Sequence, residues 1–170
     1  GAETELFDAP QRAFRLRDAL AALSARGPAF TYVLIDCPPS LNLLTMNALA
    51  AADGLLVPLQ CEFFALEGLS QLQRTVELVR GSLNPTLKIQ GVVLTMADKR
   101  NRLTEQVESD VRAHMGEIVY KTIIPRNVRL SEAPSHGLPA IVYDIKAPGS
   151  QAYIQLASEL IQRERALKAA

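Results

Sequence analysis

Apolar positions along this chain alternate between helical spacing and short unbroken runs. From Pro10 to Arg26, Leu16, Leu20 and Leu23 fall on one face among Arg12, Arg15 and Arg17, and Gly27-Pro28 closes the segment. That spacing predicts an amphipathic helix. "YVLID", residues 32–36, is a continuous apolar run, the pattern of a parallel strand covered on both faces. After Pro38-Pro39, "LNLLTMNALAAAD" predicts a helix and "GLLVPLQ" a second buried strand, in which Pro58 requires an edge or a bulge. Leu69, Leu72, Val76, Val79 and Leu83 repeat at helical spacing in "LEGLSQLQRTVELVRGSLNP", which Asn84-Pro85 ends. "KIQGVVLTM" is a third predicted strand. "LTEQVESDVRAHMG" predicts a long helix, with Leu103, Val107, Val111 and Met115 every four residues and Gly116 as its C-terminal cap. "VYKTIIP" predicts a short strand, and "GSQAYIQLASELIQRERALK" a terminal helix after Pro148-Gly149.

Strands alternating with helices predict an α/β fold with a mostly parallel sheet and right-handed crossovers. A length of 170 residues suits a single domain over 1–170. From Pro125 to Gly149 the chain shows no sustained period and several prolines, which predicts a long loop, either functional or disordered. With 5% aromatic residues and no Trp, aliphatic side chains must supply most of the burial, and Phe63, Phe64 and Leu66 are also expected in the core. The formal net charge of +0 gives no global signal for a polyanion, so any nucleic-acid surface must be a local basic patch. Cys37 and Cys61 lack CxxC spacing and read as reduced, packed thiols of a cytosolic protein. No apolar run is long enough to span a bilayer.

Ligands of open parallel sheets sit beyond the carboxyl ends of the strands. That rule marks Asp36, Gln60-Cys61-Glu62, Met96-Ala97-Asp98 and Pro125-Arg126-Asn127. An apolar strand ending in Asp is one way to hold Mg²⁺ beside a triphosphate, because this ion takes one or two carboxylates and keeps several waters. An Asp in that place also serves as a turn or helix cap, and spacing by itself favours the cap. The expected partner, a GxxxxGK[ST] loop whose backbone N–H groups cradle phosphate, does not occur in the chain. His114 and His136 have no Ser or Cys partner that suggests a triad.

Two stretches carry a family resemblance. "YVLIDCPPSLNLLTMNALAAADGLLVPLQCEFFALEGLSQL" and "IPRNVRLSEAPSHGLPAIVYD" closely resemble the ParA/Soj partitioning ATPases, deviant Walker P-loop proteins related to MinD. The resemblance runs from "FRLRDAL" to "QAYIQLASEL". It implies a P-loop NTPase-like sheet flanked by helices, of which this chain is the C-terminal portion without the P-loop strand and helix. It implies an ATP-Mg-dependent homodimer that binds DNA non-specifically in chromosome or plasmid segregation. A ParB-type partner would stimulate it, and the setting would be cytoplasmic and nucleoid-associated, with no membrane. By the same resemblance Asp36 would hold Mg²⁺ through water, "CPPS" would sense the γ-phosphate, and Pro125 and Asn127 would contact adenine. A Pro carbonyl and an Asn amide are suited to the amino group and ring nitrogen of that base. Arg100 and Arg129 match positions that bind DNA phosphates, with Lys99, Arg102, Lys121 and Arg126 near them in sequence.

No catalytic residue is expected in this portion, and little or no ATPase activity from the chain alone, since most transition-state donors would come from the P-loop. Tight ATP-Mg²⁺ binding in a calorimetric titration would contradict that expectation. Two rival readings are a MinD-like membrane-associated ATPase and a non-catalytic DNA- or partner-binding module. The first needs an amphipathic C-terminal helix with basic flanks, and "LIQRERALKAA" is short and poorly amphipathic.

Overall fold

A computed structural model describes residues 6, 9–27, 30–38, 40–98 and 100–169, the last two by backbone only. The elements are α1 (Arg15–Arg26), α2 (Leu43–Ala51), β1 (Gly54–Gln60), α3 (Ala65–Ser82), β2 (Lys88–Thr95) and α4 (Arg102–Met115). They continue as α5 (Val128–Glu132), α6 (Ala140–Tyr143) and α7 (Pro148–Ala169), with 3₁₀ turns at Gly116–Ile118 and Ala133–His136. β1 and β2 are hydrogen-bonded neighbours in an α/β arrangement with parallel pairing. By contact the chain divides into two compact units, Gly1–Leu55 with Leu72–Ile89, and Leu56–Gln71 with Gln90–Ala170.

In the first unit, Leu49, Val76, Val79 and Leu87 form a buried core, with Met46, Ala52, Leu55, Leu83 and Ile89 packed against it. Asn84, predicted only to end a helix, is buried and ties that end to α2. Its Nδ2 donates to the carbonyls of Leu49 (3.0 Å) and Ala52 (2.8 Å). Asn42 caps α2 by accepting from the Thr45 amide at 3.0 Å. The predicted first helix starts later than Pro10, after turns at residues 10–13, and buries no residue fully. Gly27 ends it, while Pro28 lies outside the described residues.

The expected strand at 32–36 is the main departure. Those residues form no ladder among the described residues, and Val33 and Leu34 are 53% and 88% exposed. An apolar run becomes a buried strand only where neighbours accept its hydrogen bonds and cover both faces, and here neither condition is met.

The second unit is built around β2, where four successive residues, 91–94, are buried as the unbroken apolar run predicted. Val93, Tyr120, Ile124, Ala152 and Leu156 form its core, with Leu56, Leu130 and Leu160 alongside. Pro58 is exposed on β1, in keeping with an edge position. The predicted strand "VYKTIIP" runs beside β2 as an interrupted parallel ladder, bridged at Val92–Val119 and Ala97–Pro125. Between the bridges, Tyr120 N donates to Val92 O (2.8 Å) and Ile124 N to Leu94 O (2.9 Å).

The outer side of that segment is closed by α7 rather than by a strand. Glu159 accepts from the amides of Lys121 (2.8 Å) and Thr122 (2.9 Å). Arg163 donates to the carbonyls of Glu117 (3.0 Å) and Val119 (2.8 Å) and lies 4.2 Å over the Tyr120 ring. Side chains thus satisfy the backbone groups that would otherwise leave an open edge. α4 matches its prediction, with Val107 and Val111 buried and Gly116 ending it at φ +61, a conformation that glycine adopts without steric cost.

The stretch predicted as a long loop, residues 125–149, contains α5, a 3₁₀ turn and α6 in succession. Each is too short to show a helical period. Asn127 caps the first, Pro134 lies at the start of the second and Gly137 (φ +63) ends it. Phe63 and Phe64, expected in the core, are 76% and 70% exposed and pack edge-to-face on each other.

Candidate functional site

The carboxyl end of β2 collects most of the predicted site residues. Met96 takes a left-handed backbone conformation (φ 55) and turns the chain out of the strand. Beyond it Ala97 N donates to Ile124 O (3.2 Å), and Arg126 N to Ala97 O (2.9 Å). This pairing sets Pro125, Arg126 and Asn127 beside Ala97 and Asp98.

Asn127 is half-buried and N-caps α5, its Oδ1 accepting from Arg129 N at 3.1 Å. The cap fixes the side chain by its oxygen and leaves Nδ2 as a donor. Arg100, two residues beyond Asp98, clasps that carboxylate through Nε (3.0 Å) and Nη2 (2.8 Å). Hydrogen bonds from the Arg100 side chain, then from its backbone amide, hold the Asp98 carboxyl well below the usual carboxylate range. Arg126 adds a smaller electrostatic contribution in the same direction. Arg129 donates from Nη1 to Glu132 (2.9 Å), and its Nε lies 3.5 Å from Asp144. Arg102 and Lys121 are exposed, and Lys99 lies outside the described residues.

Asp36 belongs to the first unit. It is exposed at the end of the extended 32–38 segment and lines a cavity of about 400 Å³ together with Arg15, Cys37, Pro38, Leu44 and Asn47. It is the one carboxylate on that wall among the described residues. No group of three or more His, Cys, Asp or Glu among the described residues is placed to hold a metal. A single carboxylate fits a magnesium ion that keeps its waters, and does not fit a dehydrated or soft-metal site.

Cys37, read from sequence as packed, is exposed. Partial burial and then the Asp36 charge push its thiol up, so it is not activated. Cys61 is buried, and burial followed by Glu108 raises it too. Pro39, in the middle of "CPPS", lies outside the described residues.

Sequence reasoning marked Asp98 only as a strand-end residue and missed the pairing of carboxylates with the two arginines. The three-residue spacing of Arg129 and Glu132 on a helix was readable as a pair. The approach of Asp144 depends on the turns between, and no local signal announces it. Asn47 was also missed, and its only signal was a lone amide within an apolar helix.

The sequence profile of a family described as AAA domain, AAA_31, matches residues 1–89. The chain is 67% identical over 165 residues to the chromosome partitioning protein ParA of Caulobacter vibrioides, covering 97% of this chain and 61% of that protein. It is 53% identical over 160 residues to the sporulation initiation inhibitor protein Soj of Bacillus subtilis, covering 94% of this chain and 62% of that one. Among solved structures, cobyrinic acid a,c-diamide synthase from Mycobacterium smegmatis, with a bound ATP analogue and magnesium, matches with a TM-score of 0.75. Its identity is 36%, over 97% of this chain and 59% of that one. The chain therefore spans about three fifths of the length of these relatives. No described helix is long and apolar enough to cross a membrane.

Proposed function

This chain belongs to the AAA-domain family AAA_31, with ParA and Soj among its relatives, and from that premise we propose that it serves a ParA-type partitioning ATPase in chromosome or plasmid segregation. The observation that carries the reading is the meeting of two kinds of group at one strand end. Pro125 and Asn127 offer a carbonyl and an amide donor suited to adenine, and Arg100, Arg126 and Arg129 stand beside them. With its Oδ1 committed to the cap, Asn127 presents Nδ2 to a ring nitrogen, while the Pro125 carbonyl accepts from the base's amino group.

Asp36 would hold magnesium through water, and the ion, when bound, would neutralise charge on the phosphate oxygens. Arg100 and Arg129 would bind DNA phosphates without sequence preference. A homodimer, stimulation by a ParB-type partner and a cytoplasmic, nucleoid-associated setting complete the proposal, and they follow from the family likeness. The amide-synthase name of the solved relative points to a different chemistry, but it comes at 36% identity against 67% for ParA.

The test is DNA retention as a function of salt. Arg100→Ala and Arg129→Ala are each expected to weaken binding to a duplex of arbitrary sequence. Each should also lower the slope of log affinity against log salt by about 1. Unchanged affinity and slope in both variants would remove the DNA assignment.

A further inference from the structure

Both arginines proposed to meet DNA are already engaged. Arg100 closes a two-pronged fork on Asp98, at 3.0 and 2.8 Å, with its side chain 89% exposed. That is the planar, bidentate geometry a guanidinium offers to a phosphate. Arg129 is held by Glu132 at 2.9 Å and approached by Asp144 at 3.5 Å. Glu132 is itself fixed, because the Tyr143 hydroxyl donates to the same oxygen at 3.3 Å. The Tyr143 ring in turn stacks on His136, with centroids 4.8 Å apart. The successive turns of residues 128–144 thus supply the tether on Arg129.

We infer that Asp98, Glu132 and Asp144 act as internal stand-ins for phosphate, occupying the arginine forks until DNA displaces them and so holding DNA affinity down. The inference rests on the DNA reading of Arg100 and Arg129. Exposed ion pairs are weak, about a two- to five-fold effect per pair. A tether of that strength yields to a phosphate, which gains counterion release that an internal carboxylate does not. It therefore lowers affinity without blocking binding, as reversible, sequence-independent contact requires.

Asp98→Asn and Glu132→Gln test this by fluorescence anisotropy with a labelled duplex of arbitrary sequence, over a range of salt concentrations. Asn at position 98 keeps an acceptor for the Arg100 backbone amide, which Asp98 now holds at 3.0 Å. Folding is checked by circular dichroism. Each variant is expected to bind about two- to five-fold more tightly. Glu105→Gln, which neutralises an exposed carboxylate in the first turn of α4, controls for bulk charge. An equal gain from Glu105→Gln overturns the inference. So do unchanged affinities in Asp98→Asn and Glu132→Gln while Arg100→Ala still weakens binding, a result that leaves the DNA reading standing. If the two alanine variants also leave affinity unchanged, or no variant is retained at low salt, the DNA reading falls and the inference with it.

Discussion

Asn47 shows how much one polar side chain can organise. It is 3% exposed on α2, in a stretch that is otherwise apolar or small. Its Oδ1 accepts from Leu16 N at 3.1 Å, and its Nδ2 donates to the carbonyls of Arg12 (2.8 Å) and Leu43 (2.9 Å). It thereby satisfies a backbone amide near the start of α1, a helix whose own N-cap, Phe14, has no side-chain bond to offer. Asn47→Ala would leave the Leu16 amide without this acceptor, at a cost of about 1–3 kcal/mol. The expected result is a lower denaturation midpoint, with α1 amides exchanging fastest, read by hydrogen exchange. Unchanged protection of α1 would mean that apolar contact alone holds it.

At the scale of elements, the ladder beside β2 depends on one glycine and one ion pair. A Cβ at Gly91 would clash with the Tyr120 ring, in a core where Tyr120 is fully buried. Gly91→Ala is expected to cost about 1–3 kcal/mol through overpacking, visible as a fall in melting temperature. A Cβ at Gly149 would meet Leu130 at 2.6 Å, at its branch carbon as well as a methyl, in a side chain packed against the core, so Gly149→Ala should destabilise too.

Glu159 gives the ladder a pH dependence. Burial opposes its charge, but the amides of Lys121 and Thr122, then the Thr122 hydroxyl and Arg163, outweigh burial and lower its pKa. A lowered carboxyl contributes stability above its unfolded value, and that contribution disappears as pH falls through the folded one. As pH falls from about 5 through the ordinary glutamate range, the native chain should therefore lose more stability than Glu159→Gln, measured by urea unfolding. Parallel curves would place the acid sensitivity elsewhere.

Elements that carry their own period were legible in the sequence. The strand bounds of β1 match "GLLVPLQ", and α3, β2, α4 and α7 differ from their predicted spans by a residue or two. The short helices of residues 128–143 were not legible, because four or five residues cannot display a 3.6-residue repeat.

For the molecule as a whole, surface character matters more than net charge. Phe30, Val33, Leu34 and Leu41 in the first unit are all more than half exposed, beside backbone that forms no ladder among the described residues. Such a stretch invites pairing with a second chain. The chain is expected to self-associate at micromolar concentration in sedimentation velocity, and Leu34→Lys should shift it toward monomer. A monomer in both forms would sink the expectation.

The sequence by itself determined the α/β class, the strand-end placement of Pro125 and Asn127, and the family likeness. Each of these rests on local periodicity or on contiguous residues. Only the tertiary structure decided that residues 32–34 stand exposed, that Glu159 and Arg163 close the outer edge of residues 119–125, and that Asp144 approaches Arg129. The physical reason is common to all three. Burial of an apolar run and neutralisation of a charge depend on what lies opposite, and the groups opposite are often supplied by distant parts of the chain.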